Sequence, residues 1–177
     1  MKKPILIAYF SRAGSNYISG QIVNLSVGNT EVAAMKIQEM TGGELFKINQ
    51  VHKYSDDYIT CTEQAKQELQ ENARPELTDS LDSIDGFETI ILGYPNWWGT
   101  MPMPVWTFLE SHDFSGKTIL PLCTNEGSGM GGSERDIKKL CPGAKVVNGL
   151  AIQGGSVKNA GKSIESWLKT NGLLQAR

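Results

Sequence analysis

The sequence predicts a doubly wound α/β fold, a three-layer sandwich in which a five-stranded parallel sheet lies between two layers of helices. Short apolar runs rich in β-forming residues alternate along the chain with segments of helical periodicity, and this alternation favours parallel strands joined by right-handed crossovers. The length of 177 residues suits one compact domain. Since no linker, internal repeat or low-complexity tract divides the chain, we expect residues 1–177 to form a single domain.

Five apolar runs are the candidate strands, and they occupy residues 4–10, 44–48, 88–94, 117–123 and 145–151. The first, third and fourth runs are continuously apolar, which is typical of strands buried on both faces of a parallel sheet. The second and fifth runs are weaker, because charged or polar residues interrupt them.

The helices are predicted between these strands, where apolar residues recur every three or four positions. Residues 42–43 are both glycine and end the first helix, Pro104 suits the first turn of the third, and residues 133–136 resemble a capping box for the fourth. The apolar positions that define the helices are Ala33, Ile37, Met40, Tyr58, Cys61, Ala65, Leu69, Val105, Phe108, Leu109, Ile137, Leu140, Ala160, Ile164, Trp167 and Leu168.

The overall charge and hydropathy argue against two kinds of partner. The chain carries 17 basic and 19 acidic side chains, for a formal net charge of −2, whereas nucleic-acid-binding proteins usually present a basic surface. No apolar run reaches the length of about 18 residues that a membrane span needs, and no signal peptide is indicated. We therefore expect a protein without nucleic-acid or membrane partners.

The three cysteines are odd in number and widely spaced, and no histidine lies at metal-ligand spacing from them. This pattern argues against a disulfide scaffold or a zinc site and favours the cytoplasm. Cys123 ends an apolar run, so we interpret it as a small core residue, with a lone catalytic thiol as the alternative.

The charges are unevenly distributed along the chain. Between residues 56 and 88, ten acidic side chains stand against Lys66 and Arg74, for a local charge of −8. This stretch is either a solvated helix with its loop or a docking patch for a basic partner.

Polar segments flank the connection between the first strand and the first helix, at the sheet edge where doubly wound folds bind ligands. Ser11 follows the strand, and residues 28–30 (Gly-Asn-Thr) begin the helix, where hydroxyls, amides and free N–H groups suit a phosphate. An ordinary capped loop is the alternative. Residues 15–27 between them are longer than a usual strand-to-helix loop, and their alternating end indicates a small hairpin beside the site.

Two further loops follow the third and fourth strands. Residues 95–104 contain the adjacent Trp97 and Trp98, whose flat rings suit stacking against a planar ligand, with an aromatic cluster covering the loop as the alternative. Residues 124–132 are rich in glycine, so that backbone groups can approach a ligand closely. Three such loops at neighbouring strand ends predict one binding site.

These segments give the chain a resemblance to the flavodoxin-like family that extends, in order, over nearly the whole sequence. The resemblance is carried by residues 9–11, 28–30, 95–99 and 124–129. It implies a flavodoxin-like fold with strand order 2-1-3-4-5 and FMN as cofactor. It also implies that the family's phosphate loop is split here by an insertion at residues 13–27.

The resemblance further implies where FMN would lie. Ser11, Asn29 and Thr30 would hold its phosphate, and Trp97 or Trp98 would stack on the flavin ring or lie edge-on to it. The implied cofactor-binding residues are Ser11, Asn29, Thr30, Pro95, Asn96, Trp97, Trp98, Gly99, Thr124, Asn125, Glu126, Gly127 and Ser128. Glu126 either places negative charge near the flavin or faces solvent.

The site lacks the residues of side-chain acid/base catalysis, because neither histidine lies in the three loops and no Ser/His/Asp pattern is present. We therefore expect no catalytic side chain and no metal. The resemblance implies an FMN-binding flavodoxin-type electron-transfer protein that meets redox partner proteins, a reductase and an electron acceptor, as a monomer or weak dimer.

An NAD(P)H-dependent quinone or FMN reductase of the same fold is the alternative. The net charge of −2 favours this alternative, because flavodoxins that act only as carriers are typically strongly acidic. A receiver domain is disfavoured, because Ser11 and Arg12 stand where a receiver needs acidic residues.

Overall fold

The strands and helices of the computed structural model lie within residues 3–176, which the structure describes. The strands are β1 Ile5–Tyr9, β2 Gly14–Ile18, β3 Gln21–Leu25, β4 Glu44–Lys47, β5 Thr89–Pro95, β6 Thr118–Asn125, β7 Lys145–Val146 and β8 Leu150–Gln153. The helices are α1 Asn29–Thr41, α2 Tyr58–Gln70, α3 Met103–Glu110, α4 Ser133–Leu140 and α5 Gly161–Thr170, with a 3₁₀ helix at Gly154–Asn159.

The central sheet is parallel and has the order β4-β1-β5-β6-β7, with β8 also paired to β6. This is the predicted order, except that the fifth strand is divided into β7 and β8. Pro121 of β6 lies opposite the gap and has no amide hydrogen for the ladder. Gly149 fills the gap, where a Cβ atom would lie only 2.9 Å from the Pro121 carbonyl oxygen. These two residues explain the interruption.

Two apolar layers cover the sheet and confirm the predicted sandwich. Alternate residues of β1 face opposite layers. Leu6 and Ala8 belong to the cluster that includes α3 and α4, whereas Ile5 and Ile7 belong to the cluster that includes α1 and α5. All of β1 is buried, as its continuous apolar run predicts. Cys123 is completely buried, which agrees with its interpretation as a core residue.

The long insertion after β1 forms the predicted hairpin, in which β2 and β3 pair in antiparallel register. Ser19 and Gly20 connect the strands, with φ angles of 50° and 84°. Two consecutive left-handed residues are typical of a tight two-residue hairpin turn. The hairpin lies against α2, which also contacts α3.

The helix boundaries agree with the sequence at two positions and differ at one. Gly42 ends α1 in the left-handed conformation, and Pro104 lies in the first turn of α3. Helix α4 begins at Ser133, but the predicted capping box is wrong, because no side chain caps the helix. Ser133 is buried, donates to the Met130 carbonyl oxygen at 2.6 Å and accepts from the Tyr94 hydroxyl at 2.8 Å.

Within residues 3–176, every helix is too short or too polar to cross a lipid bilayer.

Candidate functional site

A cleft lies at the carboxyl ends of the central strands, and its inner part, the first cavity, has a volume of about 230 Å³. It is bounded by β1, the hairpin, the start of α1, and the loops after β5 and β6. Most of the predicted site residues line it, namely Ser11, Asn29, Thr30, Pro95, Asn96, Trp97, Thr124, Asn125, Glu126 and Ser128. The other predicted residues, Trp98, Gly99 and Gly127, do not line the first cavity.

Hydroxyl groups and the start of α1 form one end of the first cavity, here called the α1 end. The N-cap residue of α1 is Gly28, which has no side chain to cap the helix, so the backbone N–H groups of Asn29 and Thr30 are available to a ligand. The Ser11 Oγ accepts a hydrogen bond from the Glu31 N–H at 3.1 Å, which leaves the hydroxyl hydrogen of Ser11 free to donate. The hydroxyls of Thr30 and Thr124 bond each other at 2.8 Å. This donor set suits an anion.

Gly28 brings the two halves of the split loop into contact. A Cβ atom at this position would lie 2.2 Å from the Ser11 Oγ and 2.7 Å from the Arg12 carbonyl oxygen, so only glycine fits there. The hairpin therefore leaves the loop and returns to it without separating Ser11 from Thr30. The two segments form one continuous wall of the first cavity.

The two adjacent tryptophans have different environments. Trp97 is half-buried and meets the rings of Phe10 and Tyr54 edge-on, at centroid distances of 5.2 and 5.0 Å. Trp98 is 51% exposed and turns towards α2, where its Nε1 donates to the Thr62 carbonyl oxygen at 2.9 Å. Its backbone is left-handed, with a φ of 57°. Trp97 is thus the tryptophan that lines the first cavity.

Close backbone contacts hold the loops after β5 and β6 together. The Asn96 side chain donates to the Gly129 carbonyl oxygen and accepts from the Gly99 N–H, both at 2.9 Å. Gly131 has a positive φ, and a Cβ atom there would lie 2.4 Å from the Gly99 carbonyl oxygen. Gly127 donates to the Asn125 side chain. Gly99 and Gly127 therefore shape the loops rather than line the first cavity.

Glu126 bridges the hairpin and the α1 end. Its Oε2 accepts from the Ser19 N–H at 2.9 Å, while its Oε1 is buried without a hydrogen-bond partner. Gly154 lies beside it, where a Cβ atom would be 2.4 Å from both the Glu126 Oε1 and the Asn29 Nδ2. Glu126 lines the first cavity and is half-buried, with its Oε1 shielded from solvent.

A second cavity of about 410 Å³ continues the cleft towards α2. Its lining comprises Arg12, Asn16, Tyr58, Cys61, Thr62, Ala65, Asn96, Trp97 and Trp98. Arg12, Asn16, Tyr58, Asn96 and Trp97 line both cavities, which therefore adjoin each other.

Sequence reasoning missed several residues of the cleft, chiefly Arg12 and Tyr58. The Arg12 guanidinium donates to the carbonyl oxygens of Ser15, Ser55 (2.8 Å) and Asp56 (3.1 Å). The rings of Tyr17 and Tyr58 are stacked at 6.1 Å. Only the position of Arg12 next to Ser11 offered a sequence signal, because the others come from the hairpin and from α2.

Burial and local hydrogen bonds shift the pKa values of titratable groups around the cleft. Burial and the neighbouring Glu31 carboxylate raise the pKa of Tyr9 to about 12. The Thr60 N–H and hydroxyl hold the pKa of Asp57 below its ordinary value. Residues 3–176 contain no group of three or more His, Cys, Asp or Glu side chains arranged to hold a metal ion.

The fold and the cleft together define a doubly wound α/β protein. In its cleft, a helix N-terminus that suits an anion lies beside aromatic side chains. The chain belongs to the flavodoxin family, whose family model matches residues 4–171. The resemblance inferred from the sequence is thereby confirmed.

Several solved structures have the same fold. A candidate flavoprotein from Bacteroides eggerthii is 28% identical with a TM-score of 0.75, and the match covers 94% of this chain and 96% of that one. A candidate flavoprotein from Bacteroides uniformis is 27% identical with a TM-score of 0.74, over 96% and 99% of the two chains. A flavoprotein from Lactobacillus acidophilus, solved in complex with FMN, is 22% identical with a TM-score of 0.62, over 90% and 99%. A comparison with curated proteins found no match.

Proposed function

We propose that this protein binds FMN in the first cavity and acts as a flavodoxin-type electron-transfer protein. The observation that carries the proposal is the arrangement of one cavity, in which the α1 end, Trp97 and the loop after β6 face a common space. Membership of the flavodoxin family supports FMN as the cofactor. The flavoprotein from Lactobacillus acidophilus, which has a similar fold and was solved in complex with FMN, also supports FMN as the cofactor.

The residues of the first cavity fit the chemistry of FMN. Ser11, Asn29 and Thr30 would hold the phosphate with hydroxyl, amide and backbone donors. Trp97 would form one wall of the flavin site, and the loop after β6 would contact the flavin through backbone groups. When bound, the flavin supplies the electron chemistry, and the protein contributes orientation and electrostatics.

Two opposite charges line the first cavity and would set its electrostatic potential. Arg12 forms none of the ion pairs found in the described part of the chain, and its positive charge is offset by carbonyl dipoles and by the more distant Asp57 carboxylate. Glu126 has one carboxylate oxygen without a partner. Arg12 would favour an anionic reduced flavin and Glu126 would oppose it.

The proposed partners are a reductase and an electron acceptor, and acidic residues at the cleft would help to receive them. The bond from Arg12 to the Asp56 carbonyl oxygen brings the start of the acidic stretch 56–88 beside the cleft. The exposed Asp56 and Asp57 would therefore meet a basic partner surface. We expect the protein to act in the cytoplasm, as a monomer or weak dimer.

The absorption spectrum of the purified protein tests the proposal. We expect visible flavin bands, release of FMN by acid, and recovery of the bands when FMN is added back. Riboflavin lacks the phosphate and is the matched control, so it should bind more weakly than FMN. A colourless protein that fails to bind added FMN would refute the proposal, and equal binding of riboflavin would refute the role of the α1 end.

An NAD(P)H-dependent quinone or FMN reductase is a second candidate, favoured by the second cavity beside the proposed flavin site. A cavity of that kind gives a small molecule room next to the cofactor, which a pure carrier does not need. Anaerobic mixing of the FMN-loaded protein with NADPH separates the two candidates. Rapid bleaching without a partner protein would identify a reductase, and unchanged flavin bands would identify a carrier.

A further inference from the structure

We propose that the buried carboxylate of Asp136 in α4 is a positioning residue, which holds Trp97 in place at the proposed flavin site by acting through Thr100. The inference rests on the proposed function only in that FMN would lie against Trp97. Asp136 and Thr100 line neither the first nor the second cavity, so any effect of either residue on a bound ligand must pass through the main chain of the loop after β5.

Residues 97–100 of this loop form a tight and strained turn. The Trp97 N–H donates to the Thr100 carbonyl oxygen at 2.9 Å, and the Thr100 N–H donates to the Trp97 carbonyl oxygen at 3.4 Å. Trp98 and Gly99, which lie between them, are both left-handed, with φ angles of 57° and 85°. Glycine adopts this conformation freely, but a tryptophan in it is costly and persists only where the surrounding structure holds it. The turn therefore needs anchors outside itself.

The start of α4 supplies two of these anchors. The Gly132 N–H donates to the Gly99 carbonyl oxygen at 2.7 Å. The Thr100 hydroxyl donates to the Asp136 Oδ2 at 2.6 Å, a length typical of a hydroxyl bound to a carboxylate. The two anchors are linked to each other, because the Asp136 N–H donates to the Gly132 carbonyl oxygen at 3.1 Å. Helix α4 thus holds Gly99 and Thr100 in one arrangement.

Asp136 is unusually buried for a carboxylate, since it is 8% exposed and its partner Thr100 is 5% exposed. Its Oδ1 accepts from the Arg135 Nε at 3.2 Å, but the Arg135 side chain is exposed, and an ion pair with an exposed partner contributes little. The Thr100 hydroxyl is therefore the main partner of the buried carboxylate. Removal of that bond would leave the turn with one fewer anchor and the carboxylate without its buried donor.

Trp97 is the residue through which this anchoring reaches the first cavity. It lines the first cavity, and its ring meets Phe10 and Tyr54 edge-on. Those contacts hold the ring, whereas the paired backbone of Thr100 holds the main chain. If the Thr100–Asp136 bond is lost, we expect Trp97 to shift relative to the cavity while the ring contacts persist.

Thr100→Val tests the inference, because valine keeps the shape of threonine and removes the donor. We expect FMN to bind about fivefold more weakly or worse, and the visible circular dichroism of the bound flavin to change, under conditions in which the protein is folded by far-ultraviolet circular dichroism. Thr100→Ser keeps the hydroxyl and should restore both properties. Asp136→Asn keeps an uncharged acceptor, should give an intermediate affinity, and takes the place of Thr100→Val if that variant fails to fold.

Thr107→Val is the matched control, because it removes the same group from a threonine of α3 that lines neither cavity. The Thr107 hydroxyl donates to the Pro75 carbonyl oxygen at 2.9 Å. This variant should keep both the FMN affinity and the flavin circular dichroism. An equal loss in Thr107→Val would mean that general destabilisation causes the effect, and the inference would fail.

A double-mutant cycle shows whether Thr100 acts through Trp97. In Trp97→Leu protein, Thr100→Val should change the Kd for FMN by less than about twofold, because the side chain that Thr100 positions is absent. An undiminished loss of affinity in that background would overturn the inference. Wild-type affinity together with a wild-type flavin spectrum in Thr100→Val would overturn it as well.

A measurement on the cofactor-free protein separates this inference from the proposed function. If the protein binds no FMN, the proposed function fails, but the four tryptophans still give separate indole N–H signals in a proton–nitrogen NMR spectrum. Thr100→Val should shift the Trp97 signal, which is identified by its loss in Trp97→Leu, and should leave the signal of Trp167 on α5 unchanged. An unchanged Trp97 signal would show that Asp136 and Thr100 do not position this side chain.

Discussion

Replacing Thr30 with valine tests the α1 end, because valine keeps the shape of threonine and removes only the hydroxyl. Thr30 and Thr124 are 2% and 4% exposed, and their Oγ atoms are 2.8 Å apart. One of these hydroxyls donates to the other, and the hydrogen of the acceptor is free to donate to a ligand. The substitution also leaves the buried Thr124 hydroxyl without its partner, which costs about 1–3 kcal/mol of folding stability.

The expected effect of Thr30→Val on FMN affinity follows from the same geometry. A hydrogen bond to a charged phosphate contributes about 1.5–3 kcal/mol, and about 1.4 kcal/mol is a factor of ten, so the Kd for FMN should rise about 10- to 150-fold. Quenching of flavin fluorescence during titration measures the Kd, and urea unfolding measures stability.

Thr41→Val is the matched control for this experiment. Thr41 is also buried on α1, at the far end of the helix, and donates to the Ile37 carbonyl oxygen at 2.7 Å. We expect this variant to lose stability and keep its FMN affinity. Wild-type FMN affinity in Thr30→Val would refute the placement of the phosphate.

Three further predictions, the first with a control variant, test other features of the molecule. Gly28→Ala places a Cβ atom 2.2 Å from the Ser11 Oγ and should lower both the Tm and FMN binding. Gly86→Ala meets no atom within 4 Å and should change neither, so equal behaviour of the two variants would contradict the close contact. Glu126→Gln removes a negative charge from the first cavity and keeps an oxygen for the hairpin N–H. FMN should therefore bind more tightly at low salt, and weaker binding would count against repulsion. Burial holds the pKa of His112 below 6.5, so the unfolded chain binds the proton more readily and stability should rise with pH through that range. Urea unfolding at about pH 5 and about pH 8 should show a smaller rise in His112→Phe, and an equal rise would exclude His112 as its source.

The strands and the site loops were predictable because their signals are local in the sequence. A strand buried on both faces must be apolar throughout, and residues 4–10 and 88–94 satisfy that requirement. A helix start that binds an anion needs hydroxyl, amide and glycine residues at its first positions, which residues 28–30 provide. The hairpin also left a local signal in the alternation of its second strand.

The features that were missed or mispredicted depend on contacts between distant segments. Pro121 lies on β6 and interrupts the neighbouring fifth strand. The Ser133 hydroxyl, which the capping-box prediction assigned to a helix N-terminus, instead accepts a hydrogen bond from Tyr94. Trp98 turns to α2 because a carbonyl oxygen there accepts from its indole. No pattern within one segment reports such partners.

The amino-acid sequence by itself determined the sandwich, the strand order through its family pattern, and a site at three strand ends, because burial and chain connectivity restrict which residues can occupy those positions. Tertiary structure alone decided how the insertion folds back so that Gly28 meets Ser11, and which tryptophan lines the first cavity. It also decided that Arg12 and Tyr58 join a second cavity to the first. These outcomes depend on packing between the hairpin, α2 and the sheet edge, whose residues are far apart in the chain and meet only in the folded protein.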